Sequence, residues 1–245
     1  MSLHLLAIGA HPDDVEIGMG ATLAKYVEMG YRVGICDLTM AELSSNGTVE
    51  RRQEEAKKAA ALLGVNERIQ LDFPDRGLRY IDDEDLQRLV SVIRKYKPTF
   101  VFAPYHADRH PDHGACAQLV KEAVFNAGIH RYRCSLNLPA HRVRAVYYYF
   151  INSYQKPDFL IDVSKQMEKK KQALLAYKSQ FIKDEDSIDT PLTNGYLSFV
   201  DARERLFGKE IDVTYAEGFL TDKPIAIGNL FEVERKDGVE TENRD

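Results

Sequence analysis

The sequence has 245 residues, 44% of them apolar and 29% charged, enough for one sizeable soluble α/β domain. A formal net charge of -5 offers no global attraction to nucleic acid or to an anionic membrane, and no apolar run is long enough to cross a bilayer. The three widely spaced cysteines, Cys36, Cys116 and Cys134, form no C-x-x-C pair, which points to a reducing cytoplasm and away from a disulfide framework or a thiolate zinc site.

In chain order, Leu3 to Gly9 reads as a first strand, with no basic leader before it and hence no expected signal peptide. A helix from Glu16 to Met29 ends at Gly30, and Tyr31 to Leu38 is a second strand. Thr48 to Leu63 reads as a helix stopped by Gly64, followed by a third strand from Arg68 to Phe73. Asp82 to Lys97 carries acids in its first turn and bases in its last, and Pro98 halts it. Thr99 to Ala103 is a short, wholly apolar fourth strand of the kind buried in parallel sheets. Beyond it come a helix from Asp112 to Ala127, strands from Val143 to Ile151 and Phe159 to Val163, a helix from Ser164 to Phe181 capped by Ser164, and a helix from Leu197 to Phe207. This alternation predicts an α/β, Rossmann-like, doubly wound and mostly parallel sheet, forming a single domain over 1–231. The charged stretch from Glu232 to Asp245 reads as a disordered tail.

Two clusters of reactive side chains lie just past strand ends. Ala10-His11-Pro12-Asp13-Asp14 follows the first strand, and His110-Pro111-Asp112-His113 follows the fourth. Functional groups in open parallel sheets gather outside the carboxyl ends of the strands, where strand order reverses. If both clusters serve one site, right-handed crossovers require the order 3-2-1-4, with the switch point between strands one and four. The first loop lacks the G-x-G-x-x-G pattern of a dinucleotide turn and puts two carboxylates where phosphates would lie, so a cation is the better guest. His11, Asp14 and His113 supply two imidazoles and a carboxylate, which suit zinc with positions left open for water and substrate. The same donors describe the facial triad of non-haem iron(II) oxygenases, so iron(II) stays open as the metal. Asp13, pointing away from Asp14, is free to take a proton from an activated water. Taken singly, each cluster could be an ordinary turn or helix start; their joint placement favours a shared site.

These residues resemble the LmbE-like family, also called PIG-L, of zinc-dependent N-acetylglucosamine deacetylases. The A-H-P-D-D and H-P-D-H motifs are intact, and the likeness extends through Ser44-Ser45-Asn46-Gly47-Thr48, Pro74-Asp75-Arg76-Gly77 and Thr190-Pro191-Leu192-Thr193. The branch that looks most similar removes acetyl from N-acetylglucosaminyl-malate in bacillithiol biosynthesis. The resemblance implies a cytoplasmic homo-oligomer, such as a hexamer, with His11, Asp14 and His113 as ligands, Asp13 as general base and His110 in support. It implies Arg52 and Asp75 near the sugar, and Arg142 and Tyr196 as contributors on mobile segments. Some relatives carry a tyrosine where this chain has Asp108, so another group must assist the oxyanion here or the metal must do more of that work.

The resulting expectation is that protonated His110, or else Arg142, steadies the oxyanion while Asp112 holds an imidazole of its own motif cationic. Competing readings are a deacetylase of another N-acetylglucosamine conjugate or oligosaccharide, an iron(II) oxygenase and a non-catalytic sugar- or nucleotide-binding module. A spare carboxylate beside a metal ligand argues against the binding module, which needs no base. Lys169-Lys170-Lys171 reads as a solvated helix face, and Tyr147-Tyr148-Tyr149 as sheet packing without a basic patch to suggest nucleic acid.

Overall fold

The computed structural model describes residues 2–228, so the expected tail from Glu232 and the expected domain end at 231 lie outside the described residues. In chain order the first half comprises β1 (Leu5–Gly9), α1 (Asp14–Glu28), β2 (Val33–Thr39), α2 (Val49–Leu63), β3 (Glu67–Phe73), α3 (Asp83–Tyr96), β4 (Phe100–Pro104) and α4 (Pro111–Ala127). The second half comprises β5 (Ala145–Tyr149), β6 (Phe159–Asp162), α5 (Met167–Ala176), α6 (Lys178–Phe181), α7 (Tyr196–Glu210) and β7 (Ala216–Thr221). A single-turn 3₁₀ helix, Leu78–Tyr80, precedes α3. Local chemistry sets several boundaries. The Thr48 hydroxyl caps α2 by accepting from Arg51 N, and the Asp82 carboxylate caps α3 by accepting from Asp85 N, each worth about 1 kcal/mol.

All the strands join one seven-stranded sheet in the order β3-β2-β1-β4-β5-β7-β6. The first five strands run parallel, with Leu5 of β1 paired to Val33 on one side and Phe100 on the other. The expected order 3-2-1-4 is therefore present, with the switch point between β1 and β4. Alternation along the buried strands feeds two cores. Leu6 and Ile8 pack with Leu89 and Ile93 of α3 and Val120 of α4, while Leu5 and Ala7 pack with Leu23 of α1, Ala59 of α2 and Leu174 of α5. No described helix is long and apolar enough to cross a membrane.

Two elements differ from the sequence expectation. The strand β7 was absent from it, and it runs antiparallel to both β5 and β6. Its residues AEGFLT carry Glu217, which breaks the apolar pattern; the carboxylate is buried because the Lys170 ammonium lies 2.6 Å away. Lys170 is accordingly fully buried and no part of a solvated face. The helix expected from Ser164 to Phe181 is two helices, broken at Tyr177, whose hydroxyl donates to Glu16 at 2.8 Å. Ser164 does not cap it, because its hydroxyl donates to Asp162 in the preceding turn.

Candidate active site

The site forms where β1 and β4 end side by side. His11 to Asp13 make the turn into α1, and Asp14 opens the helix. Asp14 N donates to His11 O, while the Asp14 carboxylate accepts from His11 N at 2.9 Å, so the loop is closed in both directions. Asp13 sits at φ 117, a left-handed conformation that costs a non-glycine residue about 1–3 kcal/mol, and its carboxylate pairs with Arg52 whereas that of Asp14 meets His11 and His113. On the other side, Pro111 begins α4 and His110 is its cap, its Nδ1 accepting from Asp112 N at 3.3 Å. His113, in the first turn, then reaches across to α1.

Asp14 joins the two clusters. One carboxylate oxygen lies 3.3 Å from His11 Nδ1 and the other 3.1 Å from His113 Nε2. The remaining ring nitrogens are committed outward. His113 Nδ1 lies 2.9 Å from Asp108, and His11 Nε2 lies 3.2 Å from Asp75 and 3.7 Å from Asp112. Carboxylates placed this way fix the tautomer and aim the opposite nitrogen inward. Among the described residues, His11, His110 and His113 each bring a donor within 4.8 Å of the others, as do His11, Asp75 and Asp112. Four carboxylates (Asp14, Asp75, Asp108 and Asp112) thus converge on the imidazoles of His11 and His113, and the surplus negative charge fits a divalent cation.

Charge states follow from these neighbours. Burial raises the Asp13 carboxyl to about 7; the Arg52 guanidinium restrains that rise, and the negative charge of Asp14 adds to it. Burial opposes ionisation of Asp14, yet His113 and His11 hold it well below the usual carboxylate range. Burial pulls His113 down, but Asp14 and Asp108 outweigh it and lift the ring to about 9. His110 goes the other way, to about 4, through burial and the positive charge of His113 and His11.

Several sequence expectations change here. His110 is neutral near pH 7 rather than protonated; because its Nδ1 accepts an amide proton, Nε2 carries the N–H that faces the cleft. Asp112 lies 3.7 Å from His11 Nε2, in the first motif, and accepts from Arg76 N at 2.6 Å; within its own motif it acts on His110 through its charge. Arg52 is buried and committed, with Nε and Nη2 bonded to Pro12 O at 2.8 and 2.6 Å. Its Nη2 also pairs with Asp13 Oδ2 at 2.8 Å, out of line for a hydrogen bond, which leaves that oxygen without a donor. Asp75 lines the cleft but backs His11 and accepts from Leu43 N. Tyr196 lies beneath the cleft, its hydroxyl donating to Ile151 O at 2.9 Å. Arg142 is exposed at the opposite edge of the sheet, between His141 N, bonded to Ala127 O, and Arg144 N, bonded to Thr99 O. It cannot reach the oxyanion of its own chain from there.

Sequence reasoning missed Asp108 and Asn152. Asp108 accepts from His113, from His110 N and from both nitrogens of Asn152, and burial notwithstanding, His113 holds its carboxyl at about 2. The signal for Asp108 was present, a carboxylate five residues before His113 in the same loop, but it was read as an absent tyrosine. Asn152 follows β5 with no motif around it. The cleft itself measures about 290 Å³; Ser44, Asn46, Arg76, Arg109, Thr190 and Leu192 belong to its upper wall.

Known proteins resemble this chain along most of its length. The family model described as PIG-L, GlcNAc-PI de-N-acetylase, matches residues 6–124. The diacetylchitobiose deacetylase of Thermococcus kodakarensis is 34% identical over 87% of this chain and 81% of its own. A probable N-acetyl-alpha-D-glucosaminyl L-malate deacetylase 2 of Bacillus anthracis is 24% identical over 82% of this chain and 92% of its own. Among solved structures, the conserved protein TT1542 from Thermus thermophilus superposes with a TM-score of 0.83 at 36% identity, covering 92% of this chain and 97% of that one.

Proposed function

Because the chain belongs to the PIG-L family of de-N-acetylases, we propose that its cleft removes the acetyl group from an N-acetylglucosamine conjugate with a zinc ion held by His11, Asp14 and His113. The observation that carries this reading is the Asp14 carboxylate, shared between His11 Nδ1 and His113 Nε2, while the neighbouring Asp13 carboxylate pairs with Arg52. Two imidazoles and a carboxylate fit zinc once the ion displaces the protons that the surrounding carboxylates favour on His11 and His113, and a divalent ion there would supply Lewis acidity to polarise an acetamide carbonyl and acidify a water. The donor set alone would also accept iron(II). Membership in a family of acetamide-hydrolysing enzymes sets aside the oxygenase and the non-catalytic binding module.

The protein groups do the rest. Asp13, near 7, takes the proton of the attacking water and is then the acid beside the leaving amine. Arg52 keeps Asp13 ionised and seated by gripping Pro12 O and the carboxylate together. His110 Nε2–H donates to the oxyanion as a neutral imidazole, so the missing tyrosine at Asp108 leaves no vacancy. Asp108, freed from that role, orients His113.

For the conjugate, our reading favours N-acetylglucosaminyl-malate over a neutral disaccharide. Arg76 and Arg109 stand on the cleft wall; Arg76, 47% exposed, pairs with Asp112 at 3.5 Å through one nitrogen and Arg109 donates to Asn152 through one, which leaves each guanidinium further donors for an anionic aglycone. The test is acetate release from malate, inositol and chitobiose forms compared side by side, with elemental analysis of protein purified without added metal. The malate form should turn over fastest with near-stoichiometric zinc. Equal rates on all three would overturn the malate assignment, and absence of acetate from any would overturn the deacetylase.

A further inference from the structure

The helix that carries Asp14 is broken. Met19, at φ -153 and ψ 23, leaves helical geometry in the middle of α1. The break is filled by side chains from far along the sequence. Ala21 N and Thr22 N, which would close onto Ile17 and Gly18 in an intact helix, donate instead to Glu217 at 3.1 and 2.6 Å. The carbonyl released at Ile17 accepts from Arg203 Nη2 at 2.9 Å. Gly18 lets the Tyr149 ring pack directly against the break, since a Cβ there would lie 2.0 Å from that ring. Arg203, Glu204, Lys170 and Glu217 form a buried cluster of two cations and two anions, so the guanidinium is neutralised where it lies.

The same guanidinium also holds the other flank of the site. Its Nη1 donates to Phe150 O at 3.0 Å and to Ile151 O at 2.7 Å. The next residue, Asn152, donates from its backbone and side chain to Asp108, and Asp108 aims His113. One rigid, planar group therefore bonds the start of α1, three residues past Asp14, and the strand end that orients His113. Ile17 and Ile151, whose carbonyls it holds, both line the cleft. We infer that Arg203, remote from substrate, is a positioning residue that sets the spacing between Asp14 and His113 and thereby the affinity and geometry of the metal centre. This inference rests on the metal-site reading above. Lysine cannot replace the residue, because one ammonium lacks the fork that spans three carbonyls and a carboxylate.

The experiment compares Arg203→Lys with Arg94→Lys. Arg94 is an equally buried arginine that ties Ala127, Tyr132 and Leu138 carbonyls on the far side of the sheet, away from the cleft. Each folded protein is titrated with zinc against a chromophoric chelator and loaded with cobalt(II) for its visible spectrum. Arg203→Lys should weaken zinc roughly 10- to 100-fold and shift the cobalt bands, as loss of an outer support does. Arg94→Lys should lower the melting temperature and leave both readouts as in wild type. Should Arg203→Lys fail to fold, Arg203→Gln decides: its amide can still donate to one carbonyl but cannot span both flanks, and the same weakening of zinc and shift of the cobalt bands are expected. Unchanged zinc affinity and spectrum in whichever of the two variants folds would overturn the inference. A wild-type protein that takes up neither metal would instead overturn the metal centre itself, and this inference with it.

Discussion

The two flanks of the site are built differently. On the β1 side, His11, Asp13 and Asp14 come from four consecutive residues, and the loop closes on itself through Asp14 and His11. On the β4 side, His113 depends on Asp108, which depends on Asn152 at the end of β5, which in turn leans on α7 through Tyr196. The first flank closes its own loop through local bonds, and Asp75, Arg52 and Arg203 brace it from further along the chain. The second is held by contacts that cross the sheet, and it is where small displacements of distant elements can reach the ligands. In a close-packed interior such shifts are transmitted rather than absorbed.

Substitutions can break or sharpen this contrast. The largest effect is expected at Asp13→Asn, which keeps the side-chain shape and a residue tolerant of positive φ but removes the base. Turnover should fall roughly 10²- to 10⁴-fold with metal content retained, read by acetate release and elemental analysis. Near-normal turnover would mean that the first flank contributes metal ligands alone. Asp108→Asn should cost about 10- to 100-fold in zinc affinity or rate, because His113 loses its anionic partner. An effect below twofold would show that α4 alone suffices to aim the ring.

Arg52 separates seating from chemistry on the first flank. With Asp13 at about 7, the base is ionised above that pH and protonated below it, so kcat/KM should decline as pH falls through 7. The guanidinium lowers the Asp13 pKa, so Arg52→Met should raise it and move the acid limb to higher pH. A limb that stays in place would assign it to another group. The smallest effect belongs to Arg142→Ala, within about twofold of wild type, given its exposed position at the amino edge of the sheet. A large loss there would require the residue to act on a second copy of the chain.

How much of this was legible in the sequence differs by region. The first five strands and their helices follow from hydrophobic period, caps and stops, since those signals are local. The motifs His11–Asp14 and His110–His113 were recognisable because each lies within a few residues, and the order 3-2-1-4 followed from asking them to meet. The last strand was hidden by Glu217, whose burial makes sense only once Lys170 is seen beside it. Asn152, Arg203 and the true partners of Asp112 and Arg52 were hidden for the same reason.

The chain on its own therefore determined which residues could hold a metal and move a proton, and on which strand ends they stand. Only the tertiary structure decided how they are held. It divided the ring nitrogens between site and support, made His110 neutral, and set Arg142 at the far edge. It also reached across roughly 200 residues to join Glu217 to the broken α1. The physical reason is that a ligand's identity is a property of one side chain, whereas its orientation and protonation are set by every charge and dipole packed against it.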